Sequence, residues 1–519
     1  MKKNGLTSAV IAGIAGVAGF GSIADAVNLN PDGLGQVLIY PYYTTQSGND
    51  TLISVVNTSD VAKAVKVRFL EGRNSREVLD FHLYLSRFDV WTAGIFSIPE
   101  GALGYPGAGV YTRDRSCTVP DIVTATPDGD MIGQIGDVTY ATFVNYAYAH
   151  LDHSAAAADL LSSVERTREG YIEMIEMANI IGAGATWVTH GATGVPTNCA
   201  AARAAWDTGG WPPALQENPT GQGELFGNAM IVNAARGTVV GYAADAIEGF
   251  NYSADLHQAP GNVEPNLNDV NDLGMAFQAT ANVFEFGRLI SATYDLTTGV
   301  GFPKVDAISA LYATPHVINE YYLDGNETIQ GTSEWVVTFP TKRFYVDDNP
   351  FVDASGNTQP SYSPNAPIAP FANTFWNNGA CESVQITVYD REERTERRNN
   401  FSPPRPGGSA LCWEAQVVTF NQSGDSSNIL GSTYFQNIAT PFSAGWARIS
   451  FGNSSATVPR MRAARDGEVF RGLPVTGFFV ANYDNGVNDS GVLANYTSLF
   501  RHRTMRDCVD EDTGQATCS

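Results

Sequence analysis

Positive charge is scarce in this chain. Of its 519 residues, 31 are Lys or Arg and 54 are Asp or Glu, so the formal net charge is −23. Binding to nucleic acid needs clustered Lys and Arg side chains that displace the counterions of the phosphate backbone. Nucleic acid is therefore not expected as a partner.

Long apolar runs are missing after residue 26. No later segment offers the about 18 uncharged apolar residues of a membrane-spanning helix, so a membrane-spanning chain is not predicted. The apolar run at residues 6–20 follows two lysines and precedes Ala24-Asp25-Ala26, the small-x-small pattern of a signal-peptidase site. We interpret residues 1–26 as a cleaved secretory signal. This predicts an extracellular or cell-surface protein, with the periplasm as the alternative.

Recognisable catalytic motifs are also lacking. The chain has no G-x-S-x-G elbow, no phosphate-binding P-loop, no H-E-x-x-H helix and no dinucleotide fingerprint. Two acidic pairs, Asp128 with Asp130 and Asp347 with Asp348, have the residue types of a glycoside hydrolase, which needs two carboxyl groups ~5 to 10 Å apart. Such pairs are common in so acidic a chain. The sequence favours a protein without catalytic activity.

Six cysteines are present, an even number in a chain with an export signal, and this predicts disulfides. No C-x-x-C spacing occurs, so metal ligation by these residues is not predicted. The cysteines are Cys117, Cys199, Cys381, Cys412, Cys508 and Cys518. Proximity favours a bond between Cys508 and Cys518.

The pairing of Cys381 with Cys412 is less direct. If residues 382–390 and 412–420 formed a plain hairpin, the two cysteines would lie roughly 30 Å apart at its opposite ends, well beyond the ~7 Å limit for a disulfide. Either the intervening loop folds back, or each cysteine has another partner.

Apolar residues recur with a period of two, which predicts antiparallel strands with one buried face. In Val65-Lys66-Val67-Arg68-Phe69 apolar residues alternate with cations, and Leu79, Phe81, Leu83 and Leu85 repeat the pattern. Turn residues at 57–60 and 71–75 separate the runs, as in a β-sandwich. We predict an all-β, mainly antiparallel fold with long loops. The expected units are an N-terminal sandwich region at residues 27–325 and a C-terminal one at 326–519.

Other segments complete this prediction. A hairpin is expected from Ala229 to Ile247, with its turn at residues 234–237. A long strand is expected at residues 334–346. Short helices are predicted near residues 154–165, 200–206 and 305–311, where alanines and a capping serine favour helix.

Asp and Asn cluster in two loops at spacings typical of oxygen ligands. Calcium takes six to eight oxygens in irregular geometry. The same residue types also dominate ordinary turns, and Asp484-Asn485-Gly486 is typical of a hairpin turn. No cofactor is predicted, with calcium bound by Asp484, Asn485, Asn488 and Asp489 as the alternative. The second loop holds Asn266, Asn268, Asp269, Asn271 and Asp272.

One close histidine pair, His150 and His153, flanks Asp152. On a helix this spacing places both imidazoles on one face, which suits zinc or copper. Because no H-E-x-x-H frame accompanies the pair, we interpret it as an exposed connection.

Aromatic residues suggest a second function. Rings displayed on loops stack against the apolar faces of sugars. The candidates are Tyr40, Tyr42, Tyr43, Trp187, Trp206 and Trp211. They make a secreted carbohydrate-binding or carbohydrate-hydrolysing protein the alternative function.

The segment from Thr51 to Asp60, followed by Ala64 to Phe69, resembles the strand, turn and strand signature of immunoglobulin-like domains in bacterial exported proteins. The blocks at residues 334–344 and 472–478 are similar to stretches of large exported proteins of Gram-negative bacteria. This resemblance implies immunoglobulin-like sandwich units and an adhesive or scaffolding role. The expected function is an exported cell-surface or extracellular structural and interaction protein. Its expected partners are other surface proteins, a second copy of the chain or envelope polysaccharide.

Overall fold

A computed structural model describes residues 26–518 of the chain apart from seventeen internal gaps. These are residues 100–105, 129–130, 149–162, 253–254, 269–277, 286, 297–301, 324, 326–329, 349–350, 353–357, 360–365, 377–378, 396–408, 453–457, 488–490 and 492. All but the last residue of the predicted signal lies outside the described residues.

Most of the described chain is β-strand. The first seventeen strands are β1 (Ala26–Leu29), β2 (Val37–Thr44), β3 (Asp50–Asn57), β4 (Ala62–Glu71), β5 (Glu77–Leu85), β6 (Val90–Ile98), β7 (Gly107–Tyr111), β8 (Cys117–Val119), β9 (Ile132–Ile135), β10 (Val138–Thr142), β11 (Glu169–Ile180), β12 (Gln216–Glu217), β13 (Leu225–Asn233), β14 (Thr238–Ala243), β15 (Asp245–Glu248), β16 (Gln278–Glu285) and β17 (Arg288–Asp295). Two helices, α1 (Gly182–Val188) and α2 (Cys199–Asp207), follow β11.

The rest of the chain begins with helix α3 (Pro303–Tyr312) and contains the short helix α4 (Arg343–Val346). Its strands are β18 (Ala313–Thr314), β19 (His316–Tyr322), β20 (Gln330–Thr338), β21 (Phe351–Val352), β22 (Thr358–Gln359), β23 (Glu382–Asp390), β24 (Ser409–Leu411), β25 (Ala415–Phe420), β26 (Phe435–Ile438), β27 (Ala444–Phe451), β28 (Glu468–Phe470), β29 (Leu473–Pro474), β30 (Thr476–Val487), β31 (Leu493–Arg501), β32 (Arg503–Thr504) and β33 (Cys508–Asp510).

Two large sheets form the N-terminal sandwich. One has ten strands in the order β17-β16-β1-β15-β2-β11-β4-β5-β8, with β12 beside β11. The other has seven, in the order β14-β13-β3-β6-β7-β10-β9. Their inner faces meet in a core that contains Phe81 and Trp91 in edge-to-face contact, 5.8 Å between ring centres. The Tyr40 hydroxyl of the first sheet donates to the Ser54 carbonyl of the second at 2.7 Å.

Two five-stranded sheets form the C-terminal sandwich, ordered β24-β23-β27-β19-β32 and β26-β25-β20-β30-β31. Tyr321 of the first sheet stacks on Phe420 of the second, with ring centres 5.0 Å apart. The fully buried Trp335 packs against the same Phe420 ring and donates from its indole to the Glu320 carbonyl at 2.9 Å.

The two sandwiches share a buried junction that is unusually rich in charge. Arg76 and Asp347, one from each sandwich, are fully buried and form an ion pair of 3.0 Å. The buried Glu169 carboxylate of β11 accepts from the backbone amide of Thr433 at 2.9 Å and from the Ser432 hydroxyl at 2.5 Å. Since these contacts join residues of different sandwiches, they fix how the two halves meet.

Two more buried ionisable groups, Glu414 and Lys342, lie in the same junction. Glu414 is fully buried, and burial raises the pKa of its carboxyl group to about 8, although the Lys342 charge and a hydrogen bond from Ser75 oppose the rise. Burial likewise lowers the pKa of the Lys342 amine to about 8. Its ammonium donates to the Cys412 carbonyl at 3.0 Å.

The predicted fold class is confirmed: the protein is all-β, with mainly antiparallel sandwich sheets and a few short helices. The hairpin predicted at 229–247 forms with Asn233 opposite Thr238, but its second arm ends at Ala243, and β15 pairs with β2 of the other sheet. Helices α2 and α3 occupy two of the predicted helical segments. The predicted strand at 334–346 is wrong beyond Thr338, because Pro340 has no amide to donate to a sheet and the chain turns there into α4. Most of the predicted helix at 154–165 lies outside the described residues.

One strand of the predicted N-terminal region belongs to a sheet of the C-terminal sandwich. Strand β19, which precedes residue 325, pairs with β27 of the C-terminal sandwich. Among the described residues no helix has the length and apolar character to cross a membrane.

Candidate functional site

All six cysteines pair with one another, which confirms the expected disulfides. The bonds join Cys117 to Cys199, Cys381 to Cys412, and Cys508 to Cys518. The second bond is explained by β24, which pairs with the start of β23 so that Leu411 lies opposite Glu382. The chain therefore returns beside β23 at residues 409–411, the first of the two alternatives, and residues 415–420 form a separate strand in the other sheet.

The calcium candidates are only partly described. Asp484 and Asn485 are exposed near the end of β30, where Asp484 lies opposite Asn495 of β31. Asn488 and Asp489 lie outside the described residues, as do His150, Asp152 and His153 and three members of the second loop. In that loop the Asn266 side chain accepts from the Asn268 amide at 2.8 Å, as in an ordinary Asx-turn. Calcium at residues 484–489 stays a prediction.

Four of the six aromatic residues proposed to contact sugars are buried, whereas Trp187 and Trp206 are half-buried on α1 and α2. Tyr40, Tyr42 and Tyr43 are completely buried, and Trp211 is nearly so. Their placement on exposed loops is therefore a wrong prediction, because β2 is an interior strand of the ten-stranded sheet, buried on both faces.

The tryptophans instead form a packed cluster with two histidines beneath α1 and α2. The Trp206 indole donates to the Tyr84 hydroxyl at 2.9 Å, and that hydroxyl lies 2.9 Å from Nε2 of His257. Burial lowers the pKa of His257 to about 3, so its imidazole is neutral. The cluster adjoins β8, where the Cys117–Cys199 disulfide ties α2 to the sheet. These contacts hold α1 and α2 against the ten-stranded sheet.

One of the two acidic pairs is fully described, and its carboxylates have different environments. Asp347 is buried against Arg76, whereas its neighbour Asp348 is exposed, so this pair does not show the arrangement that glycoside hydrolysis needs. Of the other pair, Asp128 is exposed and Asp130 lies outside the described residues.

The outer face of the seven-stranded sheet carries an open groove. Residues of β3 alternate, so that Ile53 and Val55 point into the core while Leu52 and Ser54 point outward. On β13 the outward Met230 is 46% exposed, although its neighbour Ile231 is buried. Apolar residues thus occupy both faces of these strands, and we call the solvent-facing side the outer face.

One row of residues crosses the outer face from edge to edge, each opposite the next on the neighbouring strand. The row consists of Gly241, Met230, Leu52, Gly94, Tyr111, Tyr140 and Gly133. Large side chains stand at its centre and glycines between and beyond them. The alternation produces a surface with hollows rather than a uniform layer.

Two glycines make room for the tyrosine rings of this row. A Cβ atom at Gly94 would lie 2.5 Å from the Tyr111 ring, and one at Gly133 would lie 2.1 Å from the Tyr140 ring. Each ring therefore occupies the space of the missing side chain and lies across the neighbouring strand. Phe96 contacts both rings edge-on, at 5.5 and 5.2 Å between centres.

The outer groove lies beside Tyr111 and has a volume of about 590 Å³. It is lined by Leu52, Ile53, Ser54, Thr92, Ala93, Gly94, Tyr111, Thr112, Arg113, Asn228 and Met230. This lining contains no carboxylate, imidazole or thiol. It can offer apolar contact, hydroxyl and amide hydrogen bonds and one guanidinium group.

A smaller hollow of about 120 Å³ lies where the two sandwiches meet. Its charged groups already have partners. Asp245 pairs with Arg501 at 2.7 Å and accepts from the Thr476 hydroxyl, and Arg506 donates to the carbonyls of Leu311 and Ala313. Burial lowers the pKa of the adjoining His502 to about 4. This hollow belongs to the junction and lacks the open apolar surface of the outer groove.

Sequence reasoning missed the outer groove. The available signal was that β3, β6 and β13 carry apolar residues at both alternating positions, with Gly94 and Gly133 opposite tyrosines. Recognising it requires the strand order and register, which place β13, β3, β6 and β7 side by side.

Comparisons with family models, curated proteins and solved structures find no match. The immunoglobulin-like resemblance and its Gram-negative context therefore stay predictions.

Proposed function

We propose that the chain is an exported cell-surface or extracellular interaction protein, without catalytic activity, that binds its partner through the outer face of the seven-stranded sheet. The supporting observation is the outer groove, a largely apolar hollow on the outer face of the sheet. The polar groups of its lining are hydroxyl, amide and guanidinium groups, which suit hydrogen bonding to a partner.

Exposed apolar area on this face supports a binding role. Met230 is 46% and Val239 51% exposed, and they lie on adjacent strands. Covering such side chains gains roughly 25 cal/mol per Å² of apolar surface. The opposite face of the sheet is already packed, so only a ligand or partner can add burial on the outer side.

The disulfide bonds of the protein suit a compartment outside the cytoplasm. Three disulfides are typical of oxidising environments. Together with the predicted signal at residues 1–26, they support export to the surface or medium, with the periplasm as the alternative.

Two measurements on the producing cells test this proposal. Protease digestion of intact cells, with the medium and a periplasmic extract assayed alongside, should show cleavage or release of the mature chain. A photo-crosslinker at position 54, in the outer groove, should give an adduct of defined mass. The same group at position 217, which is exposed on β12 of the other sheet, is the matched control.

Protection of the chain until the outer membrane is opened would move the function to the periplasm. Equal crosslinking from positions 54 and 217 would remove the outer groove as the interaction site. The hydrolase version of the alternative function gains no support, since the lining holds no carboxylate pair.

A further inference from the structure

We propose that the outer groove binds an extended, neutral polysaccharide strand. This rests on the proposed function, because it assigns a ligand chemistry to the same face. Sugars combine apolar C–H faces with hydroxyl groups that both donate and accept hydrogen bonds. A complementary site needs aromatic surface and short polar side chains next to each other, without an excess of charge.

The aromatic surface is continuous. Tyr111 and Tyr140 lie opposite one another on β7 and β10, and Phe96 touches both rings. Because the rings lie across the neighbouring strands, the surface runs from above Gly94 to above Gly133. These glycines are three strand spacings apart, or ~14 Å at ~4.8 Å per spacing. That length suits a chain of several sugar units better than a single monosaccharide.

Short polar groups stand on the groove side of this surface. Ser54, Thr92 and Asn228 lie in one row across three adjacent strands, directly opposite one another. The row runs parallel to the row that holds Leu52 and Tyr111. A ligand lying along the groove therefore meets apolar side chains on one side and hydroxyl and amide groups on the other.

Charge favours a neutral ligand. The lining carries one cation, Arg113, whose guanidinium pairs with Asp137 at 3.2 Å. No carboxylate lines the groove to bind a basic peptide, and the net charge of −23 repels polyanions at long range. A protein partner would need a separate hydrogen-bonding group for each hydroxyl and amide group of this row. A polysaccharide carries hydroxyl groups along its whole length and can form these hydrogen bonds without such an arrangement.

Affinity gel electrophoresis of the full mature chain tests the inference, with barley β-glucan, xylan, galactomannan or dextran cast in the gel. We expect at least one of these neutral polysaccharides to retard the protein. Tyr111→Ala should raise the Kd roughly three- to tenfold, the range for loss of one ring contact. Gly94→Val fills the groove and should raise it further. Thr92→Val removes one hydroxyl at nearly constant volume and should also raise the Kd. It provides a second test of the groove if Gly94→Val fails to fold.

One variant serves as the matched control. Tyr496→Ala removes an exposed tyrosine from a different sheet. It should be retarded like the parent protein.

Absence of retardation by all four polysaccharides would overturn the inference, as would equal retardation of the parent, Tyr111→Ala and Thr92→Val proteins. If position 54 nevertheless crosslinks to a protein, or to a second copy of this chain, the outer face remains an interaction site and only the ligand class is wrong. If neither retardation nor a specific adduct is found, the proposed function falls as well.

Discussion

The junction between the sandwiches and the outer face of the seven-stranded sheet have opposite compositions. In the junction, Arg76 and Asp347 are completely buried. On the outer face, Met230 and Val239 stand about half exposed to solvent. Charges are inside and apolar groups outside, the reverse of the usual distribution in a soluble protein.

This difference separates two tasks. Buried charges cost desolvation free energy, so they are tolerated only when partners in the fold neutralise them, and removing one partner leaves the other uncompensated. Exposed apolar groups contribute little to the stability of the free chain, but they gain free energy when another molecule covers them. The junction therefore fixes the shape, and the outer face is available for binding.

The largest effect should come from breaking the buried ion pair. Arg76→Ala leaves the Asp347 carboxylate without this partner and should lower the free energy of unfolding by about 3 to 5 kcal/mol. Denaturant unfolding followed by tryptophan fluorescence measures the change. Arg113→Ala is the control, because its pair with Asp137 is largely exposed and should be worth less than about 1 kcal/mol. Equal losses in the two variants would contradict the assigned difference.

Glu169 allows a gentler test of the same junction. Its carboxylate accepts four hydrogen bonds, including two from Thr433 and one from Tyr42. Glu169→Gln keeps the shape but turns one acceptor into a donor, so at least one buried donor loses its partner, at a cost of about 1 to 3 kcal/mol. The exposed Glu217→Gln should leave the unfolding midpoint unchanged. A loss of similar size in both variants would show that the carboxylate of Glu169 is not a link between the sandwiches.

The Glu414 and Lys342 pair makes the junction sensitive to pH. The pKa of Glu414 is about 8 in the folded protein and 4.5 in the unfolded reference. Its contribution is therefore fully present below pH 4.5 and is lost as the pH rises through 8. The Lys342 pKa is lowered from 10.5 to about 8, so its penalty is relieved only above pH 8.

Glu414→Gln mimics the protonated acid and should flatten the fall in stability between pH 5 and 8. At pH 5 the variant should be about as stable as the parent, whose Glu414 is still protonated in the folded protein, and at pH 8 it should be the more stable of the two. Unfolding midpoints at pH 5, 6.5 and 8 measure it. A parent protein whose stability is constant over this range would rule out titration of Glu414.

The fold class could be predicted from the sequence because alternation is a local signal. Val65–Phe69 and the hairpin strands that end at Ala243 show it within a few residues, and both lie in strands. The prediction of one solvent-facing side is wrong for Val65–Phe69, because β4 lies inside the ten-stranded sheet with Lys66 and Arg68 buried. The strand prediction at 334–346 failed beyond Thr338, where apolar residues continue but Pro340 ends the sheet pairing. Apolar content alone does not separate a strand from a buried turn.

The site could not be predicted in the same way, because it depends on which strands are neighbours. Leu52, Gly94 and Tyr111 are far apart in sequence and meet only through the order β3-β6-β7. Conversely, Tyr40 and Trp211 have the residue types of a sugar site, yet tertiary packing buries both. The residue types suggested which side chains could contact a sugar, but strand order and register determine which of these side chains are exposed.

The smallest effect on stability is expected at the outer face, and one strand provides a matched pair. Met230 and Ile231 are adjacent on β13 but point to opposite sides of the sheet. Ile231→Ala should lower the free energy of unfolding by about 2 to 5 kcal/mol, because it leaves a cavity in the core. Met230→Ala should change it by less than about 0.5 kcal/mol and instead weaken binding to the partner of the outer groove. Comparable losses of stability in the two variants would mean that the chain itself covers this face, and the contrast between junction and outer face would no longer hold.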